Sequence, residues 1–279
     1  MSGGEAGRVP ATPTGDELRR LVEFAVHLAR LAGERILPYF RAQPDVIDKG
    51  SAGAFDPVTA ADRAAEEVIR EEIRREFPEH GILGEEHGAA QGASALTWII
   101  DPIDGTRAFI LGQLHWGTLI ALNDGSRPVL GVMRQPYVDE TFVGSALGAE
   151  LRRGGLASPL KTRGATRLRD AIVCVTDPAL FEAAEERAAF ERLASEVRMV
   201  RYGGDCYTPC LLAAGHTDLV VEAGLKPWDV QPLVPIVEAA GGIVTDWTGK
   251  APHEGGTALY AANRELHAQA LAVLSGARG

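Results

Sequence analysis

The sequence predicts an α+β protein: helices first, then a meander of antiparallel strands, then an α/β half, with a soft boundary near residue 160. Three observations predict it. Two early segments place apolar residues at helical spacing. The middle of the chain alternates or runs apolar in short pieces broken by Gly, Pro and Asp. Beyond residue 160, strand-like and helix-like pieces take turns.

Taken in order, residues 1–14 read as a disordered tail. Thr14-Gly-Asp-Glu17 fits a capping box, and Leu18, Leu21, Val22, Ala25, Leu28, Ala32 and Ile36 then share one face, predicting a helix to about Tyr39. A looser stretch over 43–55 carries Lys49, Gly50 and Gly53. Thr59-Ala-Ala-Asp62 is a second capping box, followed by the stripe Ala65, Val68, Ile69, Ile73 and Phe77, and Pro78 ends that helix. The charges over 66–75 read as a solvated face with i,i+4 pairs. Residues 81–84 and 97–100 predict short strands, and 118–123, 129–134 and 141–145 the meander. In the last part, 171–175, 197–202 and 218–221 predict strands, and 179–195, 207–214 and 230–240 helices. The expected organisation is an α+β half over 15–160 and an α/β half over 161–279, with no internal repeat.

With 279 residues and 46% hydrophobic content, the chain can bury a sizeable core. A net charge of −10 argues against a general nucleic-acid binder, which presents a basic face. It does not argue against a phosphorylated substrate, because a bound metal reverses the local sign. Cys174, Cys206 and Cys210 are odd in number and match no zinc spacing, so they read as thiols in a reducing cytosol. No run approaches the ~18–20 apolar residues needed to cross a bilayer, and the first residues lack the apolar core of a signal peptide. The expectation is a cytoplasmic protein with no membrane partner.

Residues 98–106, WIIDPIDGT, carry the chemistry. An apolar run ends in Asp101 and Asp104, three residues apart, and such carboxylates repel unless a cation lies between them. Asp56, the pair Glu85-Glu86, and Asp229 also fall where strands or helices are expected to begin or end. Hard oxygen ligands without His or Cys suit magnesium, calcium or manganese. Singly, each signal has a plainer reading: a solvated loop for Glu85-Glu86, a helix cap for Asp229, turn chemistry for Asp56 and for Asp101 with Asp104. A structural calcium loop lacks the EF-hand spacing. Gly105-Thr106 adds a helix start, whose N–H groups attract an anion. Metal-ligating aspartates followed by such a start describe a metal-bridged phosphate, with two cations ~3.5–4 Å apart clamping attacking and leaving oxygens.

Three motifs in this order resemble the inositol monophosphatase family of magnesium-dependent, lithium-sensitive phosphatases. They are DPVTAAD (56–62), GEE leading into WIIDPIDGT (84–86, 98–106), and WDVQPLVPIVEAAGG (228–242). The resemblance covers nearly the whole chain beyond the tail. It implies a layered αβαβα sandwich and, in the family's usual form, a homodimer. It implies that Glu85, Asp101 and the carbonyl of Ile103 hold one magnesium ion, that Asp101, Asp104 and Asp229 hold a second, and that Glu85 faces a third, weaker one. Gly105 and Thr106 would give backbone N–H groups to the phosphate. Thr106, paired with Asp56, would position the attacking water. Lys49 is a weaker carry-over, in a loop that looks short.

Several stretches depart from the inositol-specific pattern: Arg107-Ala-Phe-Ile110 after DPIDGT, the 112–118 segment with Trp116, Asp205 in GGDCY (203–207), and Glu222 in VVEAGLKPWD. Two carboxylates beside the leaving group suit an ammonium rather than a ring of hydroxyls. The sequence is most similar to the histidinol-phosphate phosphatase branch, which implies L-histidinol phosphate as the small-molecule ester hydrolysed, in histidine biosynthesis. Asp205 as a cap for the next helix and Arg107 as a surface ion-pair partner remain the structural alternatives. Inositol 1-phosphate or a range of sugar phosphates remain the alternative substrates.

Overall fold

The structure, a computed structural model, describes residues 12–42, 46–48 and 57–276. Asp56 and Lys49 lie outside the described residues. Helix α1 (Gly15–Ile36) buries the predicted stripe, Leu18 through Ile36. Thr14 takes the N-cap position with extended backbone, but its side chain makes no capping bond, so the expected capping box does not form. Asp16 and Glu17 face the positive helix end instead. The helix stops at Ile36 and tightens into a 3₁₀ turn over Leu37–Tyr39, because Pro38 has no N–H to continue the ladder. A short ribbon of β1 (Val46–Asp48) and β2 (Pro57–Thr59) leads into α2 (Ala60–Glu76), which ends ahead of Pro78 as expected. The charged face of α2 corrects the sequence reading, since Glu66 and Arg70 are buried as an ion pair at 2.6 Å.

The next strands are β3 (Gly81–Gly84), β4 (Gly88–Ala90) and β5 (Thr97–Asp104), followed by the short helix α3 (Thr106–Ile110). The meander follows as β6 (Gly117–Asn123), β7 (Pro128–Gln135), β8 (Glu140–Ser145), β9 (Gly148–Arg153) and β10 (Leu156–Pro159). They form one eight-stranded sheet, ordered β10-β9-β8-β7-β6-β5-β3-β4, antiparallel except where β3 runs parallel to β5. Strand β5 was expected to end at Ile100 but continues to Asp104. Asp101 pairs with Leu119 and Asp104 with Gly117, so β5 carries one extra residue over this step. In register, the two aspartates are therefore two positions apart, and side chains two apart share a face.

The last part holds β11 (Ile172–Val175), α4 (Ala184–Glu196), β12 (Met199–Tyr202), α5 (Tyr207–Ala213) and β13 (Leu219–Leu225). After them come α6 (Pro227–Val230), α7 (Leu233–Ala239), β14 (Ile243–Thr245), β15 (Gly256–Ala261) and α8 (Arg264–Leu274). The helix expected over 230–240 is broken in two, with Pro232 at the start of the second piece. Asp229 thus sits inside α6 rather than ahead of a helix. These strands form a five-stranded sheet, β12-β11-β13-β15-β14, parallel on one side and antiparallel around β15.

Five layers result. Helices α1 and α2 cover one face of the large sheet, α5, α6 and α7 lie between the sheets, and α4 and α8 cover the far face of the small sheet. This is the αβαβα sandwich that the sequence resemblance implies. The three cysteines are free and buried. No described helix is long and apolar enough to cross a membrane.

Candidate active site

Strand β5 and helix α6 bring three carboxylates together. Oxygens of Asp101, Asp104 and Asp229 all lie within 4.8 Å of one another. Asp101 is 2% exposed, and burial followed by the charges of Glu85, Asp104 and Asp229 holds its carboxyl well above the usual range. Burial and then Asp229 push Asp104 up to about 7, against a 2.9 Å hydrogen bond donated to it by the Cys206 N–H. Burial likewise pushes Asp229 up to about 7, although the Lys226 N–H donates to it at 2.7 Å. The Oδ1 atom of Asp101 is buried and has no hydrogen-bond partner. Clustered hard oxygens with an orphaned carboxylate atom fit a hard divalent cation, whose charge would reverse this repulsion.

Glu85 lies at the end of β3, where its N–H donates to the Ile100 carbonyl at 3.2 Å. It lines the same cavity, and its charge acts on Asp101 and Asp229, but it stands outside the tight trio. Buried Glu66 holds the loop beyond it, accepting from the N–H groups of Glu86 at 2.8 Å and His87 at 3.2 Å. A side chain on Gly84 would strike that carboxylate, which explains the glycine. Glu86 itself pairs with Arg63 at 3.6 Å. Nothing in the sequence singles out Glu66, because a charge on a helix face looks the same buried or solvated.

Gly105 caps α3 in the left-handed region, φ 81°, and a Cβ there would meet the His115 carbonyl. Helix α3 begins at Thr106, as expected, and the Thr106 hydroxyl donates to the Ile103 carbonyl at 3.0 Å. Ile103, Gly105, Thr106 and Arg107 line a cavity of about 300 Å³ with the carboxylates. The expected partner of Thr106, Asp56, lies outside the described residues.

This acidic cavity continues into a second space of about 280 Å³, and Asp104, Arg107, Asp205 and Asp229 line both. Asp205 and Glu222 both line this space, with Thr176 and Tyr260. Burial, then Asp104, pushes Asp205 up to about 7, while the Gly204 N–H and Arg107 hold it down. Burial pushes Glu222 up to about 8 even though Thr176 donates to it twice, from N–H at 2.8 Å and hydroxyl at 2.9 Å. Asp205 adopts φ 41°, and the N-cap of α5 is Cys206, with no side-chain capping bond. Tyr260 and the Cys206 N–H were missed by sequence reasoning, Tyr260 because β15 was not predicted.

These raised carboxyls set a pH dependence. An unfolded carboxyl titrates near ~4, so from about pH 4 to 8 the metal-free folded protein holds protons that the unfolded chain has released. The cluster's contribution to stability is then greatest below ~4 and falls as pH rises through 7 to 8. The melting temperature in EDTA is expected to fall steadily from pH 5.5 to 8.5, and saturating magnesium to flatten that slope. A flat profile in EDTA would contradict the electrostatic picture.

The profile of the inositol monophosphatase family matches residues 17–277. The chloroplastic bifunctional phosphatase IMPL2 of Arabidopsis thaliana is 41% identical over 243 residues, 86% of this chain and 68% of that protein. The histidinol-phosphatase of Chlorobaculum parvum is 33% identical over 254 residues, 91% of this chain and 96% of its own length. The solved inositol monophosphatase from Zymomonas mobilis superposes with a TM-score of 0.81 at 40% identity, covering 92% of this chain and 98% of that one.

Proposed function

Since the chain belongs to the inositol monophosphatase family and is a phosphoric monoester hydrolase, we propose that it hydrolyses L-histidinol phosphate to L-histidinol and phosphate, with magnesium, in histidine biosynthesis. The observation that carries the substrate is the pair Asp205 and Glu222, the first half-buried and the second buried, in the space that opens from the acidic trio. Two carboxylates largely withdrawn from water on one space are costly unless a cation pairs with them. An ammonium supplies that charge, and hydroxyl groups do not. The histidinol-phosphatase relative supports the same reading.

In this reading Glu85, Asp101, the Ile103 carbonyl, Asp104 and Asp229 would hold two magnesium ions, with a third, weaker one facing Glu85. Bound magnesium supplies a lowered pKa for the attacking water and compensation for charge on the ester oxygens. The chain's own residues do the rest. Gly105 and Thr106 present backbone N–H groups to the phosphate. Thr106 and Asp56 orient the water, which converts a random encounter into an aligned attack. Asp205 and Glu222 fix the amine, and Arg107, which lines both spaces, partly offsets the rise in Asp205.

The 40% identical inositol monophosphatase favours a second reading, inositol 1-phosphate as substrate. Phosphate release from both esters, side by side with magnesium and with EDTA, separates them. The expected result is a magnesium-dependent preference for L-histidinol phosphate. A preference for inositol 1-phosphate would keep the hydrolase and remove the ammonium site.

A further inference from the structure

Tyr260 lies in β15, opposite Val220 of β13 and Val244 of β14, with its ring in the core between the two sheets. It is 1% exposed, and its hydroxyl is buried without a hydrogen-bond partner. A buried hydroxyl left unpaired is unfavourable, and phenylalanine would fill the same volume without that cost. The position is not closed core, however. Tyr260 lines the 280 Å³ space that holds Asp205 and Glu222. The orphaned hydroxyl therefore belongs to a residue on the wall of the space where the organic part of the ester is to lie.

The chemistry of the neighbours narrows what it meets. Burial, and then the charge of Glu222, raises the Tyr260 phenol, so it keeps its proton and acts as a donor. Glu222 and Asp205 on the same space disfavour an anionic acceptor. The two carboxylates are already committed to an ammonium, which has no acceptor to offer. What remains is an uncharged acceptor elsewhere on the substrate.

We propose that Tyr260 is a specificity-determining residue whose hydroxyl donates a hydrogen bond to an uncharged acceptor in the organic part of the substrate, a ring nitrogen of the imidazole in L-histidinol phosphate. This rests on the substrate reading above and deepens it. It predicts discrimination between rings of similar shape, since a site that hydrogen-bonds a substrate group rejects the analogue lacking that group.

The test compares wild type with Tyr260→Phe on three esters: L-histidinol phosphate, L-phenylalaninol phosphate, which keeps the amine but has no ring nitrogen, and 3-phenylpropyl phosphate, which has neither. Tyr260→Phe is expected to lower kcat/KM about 10-fold on L-histidinol phosphate, chiefly through KM, and to leave L-phenylalaninol phosphate unchanged. The melting temperature in EDTA should not fall, because only an unpaired hydroxyl is removed. Equal losses on both amino esters, or no loss on either, would overturn the role of Tyr260. The amine reading is judged separately, by whether wild type prefers L-phenylalaninol phosphate to 3-phenylpropyl phosphate. Absence of that preference would remove the ammonium site while a selective effect of Tyr260→Phe would still support the ring contact.

Discussion

Asp101→Asn is expected to lower phosphate release about 10³-fold or more at saturating magnesium, and at the same time to raise the melting temperature of the metal-free protein. Both effects have one cause. Asp101 is buried against Glu85, Asp104, Asp229 and Asp62, and its Oδ1 has no partner. Asparagine removes one negative charge from that group and brings an amide that can donate to the neighbouring carboxylates. The metal-free fold loses a repulsion, and the cation loses a ligand. Melting curves of wild type and variant, in EDTA and in magnesium, check it. The variant should start higher in EDTA and gain less from magnesium. Full activity in the variant would place the chemistry elsewhere, and a lower melting temperature in EDTA would show that the cluster is not under electrostatic stress.

The second large effect belongs to Asp205. Asp205→Ala is expected to reduce kcat/KM for L-histidinol phosphate by about 10²-fold, the cost of leaving a buried ammonium without its partner. Turnover of inositol 1-phosphate should stay within about 3-fold, because a hydroxylated ring has no charge to lose. Glu222→Gln is the companion variant. Its amide oxygen can still accept the two bonds from Thr176, so folding is preserved while the charge is removed. Similar losses on both esters would return Asp205 to the architecture of the cleft and defeat its pairing with an amine.

Much of the fold was legible because the apolar spacing and the packing agree. The stripes of α1 and α2 are the residues that cover the large sheet, and the central meander strands lie within about a residue of their expected limits. The misses have local causes. The β9–β10 hairpin turns at Gly154 and Gly155, both at positive φ, a signal present in the sequence but masked by the charged residues around it. Pro102 cannot donate to a strand ladder, yet β5 continues past it with one extra residue at that step. Pro178 and a 3₁₀ turn delay α4 to Ala184, where helical propensity alone started it earlier. In the site, the aspartates were legible because their residue types and order carry chemistry on their own. Glu66 and Tyr260 were not, since the loop over 85–87 folding onto α2, and a late strand crossing between β13 and β14, are what give them their surroundings.

The extra residue in β5 also bears on how much negative charge a phosphatase site can tolerate. In the proposed arrangement Glu85, Asp101, Asp104 and Asp229 bring four charges, which two divalent ions neutralise. Another carboxylate would grip the cations harder but leave the cavity net anionic, and a phosphate ester approaching it would be repelled. The departure from regular pairing falls at the step that holds Ile103, a residue that lines the cavity. A carbonyl fills a coordination position with a dipole and no charge. The bulge would thereby raise the ligand count without raising the barrier to the anion that must enter.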